Sequence, residues 1–280
     1  MPIYRLIGAP NLVAPTFVVA LDGWVDAGAA ATTAAALLAK DATTVAAFEP
    51  DELFDYRARR PTLLIYDGKP GSLTWPELSI RHTRRPDGQD VLVLTGPEPD
   101  YRWQALAAAA VELARHFGVA EWISLGAIPA AVPHTRAVPI LGTASRPGLL
   151  RGDVAAGPDG LLRVPSAAIS VLDLAIAESD IPALGYFAQV PHYIAGPYPA
   201  AAMALAGAVG RHIGGEPTLG ELPEEARQMA ARLDAAAAAD DSTREYIARL
   251  ESMVDESRLP AGDDLISEIE RFLREGSAGD

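Results

Sequence analysis

The stretch TFVVALDGWVDAGAAATTAAALLAKDATTVAAF, residues 16–48, decides the fold. Phe17–Leu21 is a short, uninterrupted run of β-branched and apolar residues after Pro15, the pattern of a strand covered on both faces and therefore central. After the polar loop Asp22–Gly28, residues 29–40 (AAATTAAALLAK) are rich in small helix formers. Asp26 is placed to cap that helix, and Leu37 and Leu38 are available to a sheet. A second strand is predicted over Thr43–Phe48, so the segment reads as strand, helix, strand with parallel pairing.

Working outward, apolar runs and periodic segments keep alternating through the first 215 residues, which predicts an α/β domain. Strand patterns at 62–66, 78–83 and 91–94, with the Asp87-Gly88 turn pair between the last two, predict an antiparallel hairpin and hence a mixed sheet. Apolar positions 103, 106, 110, 113 and 117 have helical spacing, and a strand is expected over 121–125. Residues 126–165 are Gly- and Pro-rich around a short strand near 138–141. Ser166 is expected to cap a helix over 167–178, followed by a strand at 182–190 and a helix at 199–213. Residues 216–219 read as a linker to three helices at 223–239, 242–257 and 263–275. The division is therefore an α/β domain over 1–215 and an acidic helical extension over 216–280.

Charge sharpens this division. The net charge of −14 is concentrated in residues 216–280, which hold 17 acidic and 7 basic residues. Such a balance argues against duplex nucleic acid as a partner. The absence of cysteine excludes disulfides, thiolate nucleophiles, Cys-ligated zinc and iron–sulfur clusters. No run of about 18 apolar residues occurs and the start lacks a signal-peptide pattern, so no membrane association is expected and a cytoplasmic protein is. Lysine occurs only at 40 and 69, and the sequence lacks GxxxxGK[ST], GxGxxG after a strand, HExxH and GxSxG. The histidines at 82, 116, 134, 192 and 212 form no helical ligand pair, so neither a cofactor nor a metal site is assigned.

Three polar loops after predicted strands remain as chemistry. Asp22 and Asp26 in LDGWVDAG have the residue types for acid–base work, and equally for turn and cap duty. In GPEPDYRW, Glu98, Asp100 and Arg102 combine two carboxylates with a guanidinium, or make a capped helix start with an internal ion pair. His134 stands with Thr135 and Arg136 in a Pro-bounded loop, where a histidine commonly satisfies a neighbouring carbonyl. Trp24, Trp103, His192, Tyr193 and Tyr198 sit beside Pro and Gly in loops suited to protein contacts.

Five motifs in order, LDGWVDAG, FDYRARRP, LTGPEPDYRW, LGAIPAAVPHTR and VPHYIAGPYP, resemble the actinobacterial branch of the proteasome assembly chaperone family over about residues 1–215. The resemblance implies a three-layer α/β/α domain similar to the nucleoside phosphorylase and peptidyl hydrolase fold. It also implies self-association, as a trimer, and proteasome subunits as partners. Bacterial members have been labelled ATP-dependent carboligases, but no residue here is assigned to an ATP site. Two readings stay open at this point. One is a non-enzymatic homo-oligomeric assembly chaperone. The other is a small-molecule hydrolase or transferase with Asp22, Asp26, Glu98, Asp100, Arg102 and His134 at the strand-end crevice.

Overall fold

The computed structural model describes residues 3–257, apart from residues 9, 153, 158 and 159. The chain runs β1 (Tyr4–Leu6), β2 (Thr16–Asp22), α1 (Ala30–Leu38), β3 (Thr43–Phe48), α2 (Pro50–Leu53), β4 (Thr62–Tyr66), β5 (Lys69–Thr74), β6 (Ser79–Arg84) and β7 (Asp90–Pro97). It continues through α3 (Trp103–His116), β8 (Glu121–Ala130), β9 (Ile140–Ala144), β10 (Ala155–Ala156), α4 (Ala168–Glu178), β11 (Ala183–Pro191), α5 (Pro199–Ile213), α6 (Leu222–Ala238) and α7 (Asp241–Ser257). The helix predicted over 263–275 lies outside the described residues.

Nine strands form one mixed sheet in the order β1-β3-β6-β7-β2-β8-β11-β9-β10. The four adjacent strands β7, β2, β8 and β11 are parallel, and antiparallel strands flank them on both sides. As expected, β2 is central. Its alternation distributes side chains to two cores: Phe17, Val19 and Leu21 join the α3–α4 layer, whereas Val18 and Ala20 join the α1–α5 layer. Strand β7 does the same with Leu92 and Leu94 on one face and Val91 and Val93 on the other. Each fully buried aliphatic or aromatic side chain contributes roughly 1.5–3 kcal/mol relative to exposure, so the pattern itself specifies three layers. On α1 the residues that face the sheet are Ala30, Ala31, Ala34 and Ala35, and their small side chains let the helix lie close to the sheet and to α5.

Two local expectations are corrected. Strand β3 runs in the direction of β2 but does not pair with it: β6 and β7 intervene, and β3 pairs antiparallel with β1 and β6. The predicted β6–β7 hairpin occupies the place that a simple strand-helix-strand unit would have given β3. Ser166 does not cap α4. Its hydroxyl bonds the carbonyl of Ala167, and the first helical N–H, from Ala168, is accepted by Glu98 Oε1 at 2.7 Å from a different loop.

The strand predicted over 62–66 forms as β4, but its partner β5 and its place outside the main sheet were not expected. β4 and β5 form a two-stranded antiparallel hairpin outside the main sheet, turned at Asp67-Gly68. Both turn residues have positive φ, 49° and 76°, as a two-residue turn matching the strand twist requires. Every residue of both strands is exposed.

The helical extension packs on the α/β domain. α6 lies against α5, with Leu222 buried and Met229 and Leu233 against the α1–α5 core. α7 returns beside α6 and buries Ile247 and Leu250. Among the described residues, no helix is long and apolar enough to cross a membrane.

Candidate functional site

The loops singled out in the sequence all leave the carboxyl ends of the four parallel strands, in the spatial order β7, β2, β8, β11. This is the edge where open α/β sheets place their crevices. Backbone bonds stitch the loops together. Glu98 N–H donates to the Asp22 carbonyl (2.8 Å), Ala127 N–H to Val25 (2.6 Å), His192 N–H to Ala130 (3.1 Å) and Tyr198 N–H to Gly28 (2.8 Å).

Along this edge the polar side chains separate into distinct networks. Asp26 is buried, and its Oδ1 accepts the N–H groups of Ala31 (2.7 Å) and Thr32 (3.3 Å) while Oδ2 accepts the Thr32 hydroxyl. It caps α1 as expected, from beyond a short 3-10 turn. Desolvation raises its carboxyl pKa against the opposing effect of those donors, and the nearby Asp22 charge adds to the rise. Asp22 itself is exposed, with Arg59 at 4.0 Å. Glu98 spans two loops: Oε1 holds the start of α4 and Oε2 accepts the N–H of Trp24 at 3.1 Å. Gly23 makes this approach available, since a Cβ there would stand 2.4 Å from Glu98 Oε2.

Asp100 and Arg102 bond instead to the segment before β4. Asp100 Oδ2 accepts the Asp55 N–H (2.8 Å), and Arg102 pairs with Glu52. His134 lies in a further network. Its backbone N–H donates to the Tyr193 hydroxyl (2.8 Å), its Nδ1 pairs with the same hydroxyl (2.8 Å), and its Nε2 pairs with Asp234 of α6 (3.2 Å). Thr135 and Arg136 are engaged by α7: Thr135 donates to Glu251, and Arg136 pairs with Glu251 (3.0 Å) and Asp255 (2.8 Å). His192 adds another tie, with Nδ1 at 3.1 Å from the Ala130 carbonyl and Nε2 at 3.1 Å from the Tyr246 hydroxyl. A cavity of about 470 Å³ lies beneath these helices, lined by His134, Tyr193, Leu233, Tyr246 and Ile247. A larger one, about 600 Å³, is at the opposite edge of the sheet, beside Arg84 and Arg85, whose guanidiniums are paired with Asp90 and Asp87.

The six candidate catalytic groups are thus divided among caps and pairs. Asp26 and Glu98 act on helix starts, Asp100 and Arg102 on the segment before β4, and His134 on the helical extension. Among the described residues, no group of three or more His, Asp or Glu is arranged to hold a metal.

The aromatic candidates differ in accessibility. Trp24 is 67% exposed. Trp103 is half-buried and donates its Nε1–H to the Pro99 carbonyl at 2.6 Å. Tyr193 is half-buried on His134. Tyr198 requires correction as a contact residue: it is 4% exposed within the α1–α5 core, and burial pushes its phenol up to about 12.

Sequence reasoning missed two buried networks. Trp122, Ser124 and Asp173 bond beneath α4, and Glu121, His212 and Tyr186 bond beneath α5. The second includes a 2.7 Å contact of the Tyr186 hydroxyl with His212 Nδ1, and His212 lowers the Glu121 pKa. The available signal was a polar residue on an otherwise apolar helix face: Asp173 beside Leu172 and Ile176, and His212 beside Val209 and Ile213.

Comparison with known proteins adds the final observation. A solved protein of unknown function from Corynebacterium glutamicum ATCC 13032 is 30% identical, with TM-score 0.84 over 91% of this chain and 97% of that one. One from Mycobacterium tuberculosis, also of unknown function, is 34% identical, with TM-score 0.83 over 91% of each chain. A second M. tuberculosis structure, a proteasome-assembly chaperone homologue, is 31% identical, with TM-score 0.76 over 83% of this chain and 99% of that one. Among curated proteins none matches this chain. The family model for PAC2 matches residues 20–237, which takes in the whole strand-end edge together with α6, and the chain therefore belongs to the PAC2 family.

Proposed function

We propose that this protein is a non-enzymatic assembly chaperone of the proteasome-related kind, working in the cytoplasm as a homo-oligomer, a trimer by its family resemblance. The observation that carries the reading is the β4–β5 hairpin. It presents Leu63, Leu64, Ile65, Tyr66 and Leu73 to solvent, with Ile65 61% and Tyr66 64% exposed. An isolated two-stranded hairpin is at best marginal in water, and an exposed apolar arm of this kind marks a protein contact. Strand β4 carries no charge and no proline, so its outer edge is open to pairing, whereas β5 carries Lys69 and Pro70. Trp24, exposed at the carboxyl edge of the sheet, supplies a second anchor of the type enriched at interface centres.

The link to proteasomes is supported by the M. tuberculosis relative described as a proteasome-assembly chaperone homologue at 31% identity. The actinobacterial relatives at 30–34% identity support that branch. A binding role without turnover is supported by the engagement of Asp26, Glu98, Asp100, Arg102 and His134 in structural bonds.

The test is intact-complex mass spectrometry, followed by reconstitution with proteasome α and β subunits. Wild-type protein should give a mass three times that of the 29.4 kDa subunit and accelerate formation of proteolytically active particles. The double variant Leu64→Asp/Ile65→Asp should be monomeric and ineffective. A monomeric wild type without effect on assembly overturns the reading. So does turnover of a metabolite that Asp22→Asn or Glu98→Gln abolishes while the fold is kept.

A further inference from the structure

Beneath α4, a carboxylate stands without a cation. Asp173 projects from α4 toward the sheet, where its Oδ1 accepts the Trp122 Nε1–H (2.9 Å) and the Ser124 hydroxyl. Among the described residues Oδ2 accepts no hydrogen bond and no Arg, Lys or His pairs with Asp173; burial without a compensating charge pushes the carboxyl up to about 6. Nor is Oδ2 sealed inside, since the only buried, unbonded side-chain polar atom among the described residues is Nε of Arg59.

Asp173 lines a groove of about 200 Å³. Its walls have two characters. Thr143 and Ser145, from β9 and the residues just after it, supply hydroxyls, and Ser145 Oγ already accepts the N–H of Ala183 at 3.1 Å. Leu174, 66% exposed, and Ala177 supply an apolar flank on α4. No titratable group other than Asp173 lines the groove from α4, β9 or β11.

We propose that this groove binds a primary alkylammonium group, with the nitrogen at Asp173 and the carbon chain along Leu174 and Ala177. An ammonium has three N–H donors and no acceptor, which suits one carboxylate oxygen and two hydroxyls. A divalent cation is the poorer fit, because calcium takes six to eight oxygen ligands and magnesium a near-octahedral shell, and only one carboxylate is present. The same group occurs on a free alkylamine and at the end of a lysine side chain, and the surface position of Thr143, Ser145 and Leu174 admits either.

The experiment is titration of the full chain with n-butylammonium and with Nα-acetyl-lysine amide, followed by amide NMR shifts at Thr143–Ser145 and by calorimetry. 1-Butanol and tetramethylammonium serve as controls. Saturable binding is expected at pH 7.5 for one or both amines and for neither control. Affinity should fall at least about tenfold in Asp173→Asn, which is 1.4 kcal/mol, and should be lost at pH 4.5, where the carboxyl is protonated. Thr143→Leu, which fills the groove from its exposed rim, should abolish binding while Asp173 remains. Tighter binding of the lysine analogue identifies a protein's side chain as the source, and tighter binding of butylammonium a free amine. No saturable shift, or equal binding by Asp173→Asn, overturns the proposal and leaves the assembly-chaperone reading untouched.

Discussion

Two strands of this protein are both mostly apolar and have opposite surroundings. β2, TFVVALD, is covered by helices on both faces, with Phe17, Val18, Val19 and Ala20 fully buried. β4, TLLIY, is exposed at every residue. Local propensity for an extended chain is satisfied in both. What differs is the partner: β2 has parallel neighbours on both edges and a helical layer on each side, whereas β4 has only β5. The comparison teaches that an apolar strand pattern predicts a strand that must be covered, and leaves open whether the cover comes from the same chain.

The largest effect that sharpens the contrast is expected at β2. Phe17 stacks on Trp122 with ring centroids 4.7 Å apart, and Phe17→Ala should cost about 3–5 kcal/mol in chemical denaturation. A loss below about 1 kcal/mol would mean that the central strand is no better packed than the hairpin.

The next effect is expected at a partly buried polar site beside that packing, the Asp173 carboxylate beneath α4. Burial pushes the Asp173 carboxyl up to about 6 from its ordinary 3.8, so its charged form is disfavoured by folding. Its contribution is most favourable below the unfolded pKa and is lost as pH rises through about 6. Asp173→Asn should therefore gain stability over wild type between pH 4 and pH 6, by roughly 3 kcal/mol at the plateau. A stability difference that stays flat with pH would show that folding imposes no desolvation penalty on this carboxylate.

A smaller change is expected at the loop leaving β2. Asp26→Ala removes the acceptor for Ala31 and Thr32 and should cost about 1–2 kcal/mol, whereas Asp26→Asn keeps the acceptor and sheds the desolvated charge. At pH 7 the Asn variant should match or exceed wild type in melting temperature. Equal losses in both variants would assign the charge, not the cap, to α1.

The smallest stability effect is expected on the hairpin. Leu64→Ser should change the stability of the isolated subunit by no more than about 0.5 kcal/mol, because its side chain meets solvent there. It should nevertheless weaken self-association in sedimentation equilibrium. A large loss of subunit stability would mean that the hairpin is integral to the fold and would erase the contrast with β2.

The legible parts of the fold follow from this distinction. The run at 17–21, the helical spacing at 103–117 and the Asp87-Gly88 turn each encode a local element whose side-chain period matches its surroundings. The pairing of β3 was not legible, because a parallel crossover and a detour of two strands use the same local sequence. The apolar strand at 62–66 was legible, but its partner at 69–74, KPGSLT, has too few apolar residues to signal a strand, so the Asp67-Gly68 hairpin was not. At the strand-end edge, the identity of the polar residues and the local cap by Asp26 were visible, and the long-range assignments were not. Glu98 caps a helix 70 positions away, and His134 meets Asp234 across 100 positions.

By itself, the sequence determined the α/β class, the central strand, the acidic helical end and the loops that gather at one edge of the sheet. These depend on short-range periodicity and on composition, which the chain carries locally. Only the tertiary structure decided that Glu98 holds the start of α4, which aromatic is inside, and which apolar strand is left uncovered. Those outcomes depend on contacts between residues distant in sequence, where hydrogen-bond geometry and desolvation act only after the layers have packed.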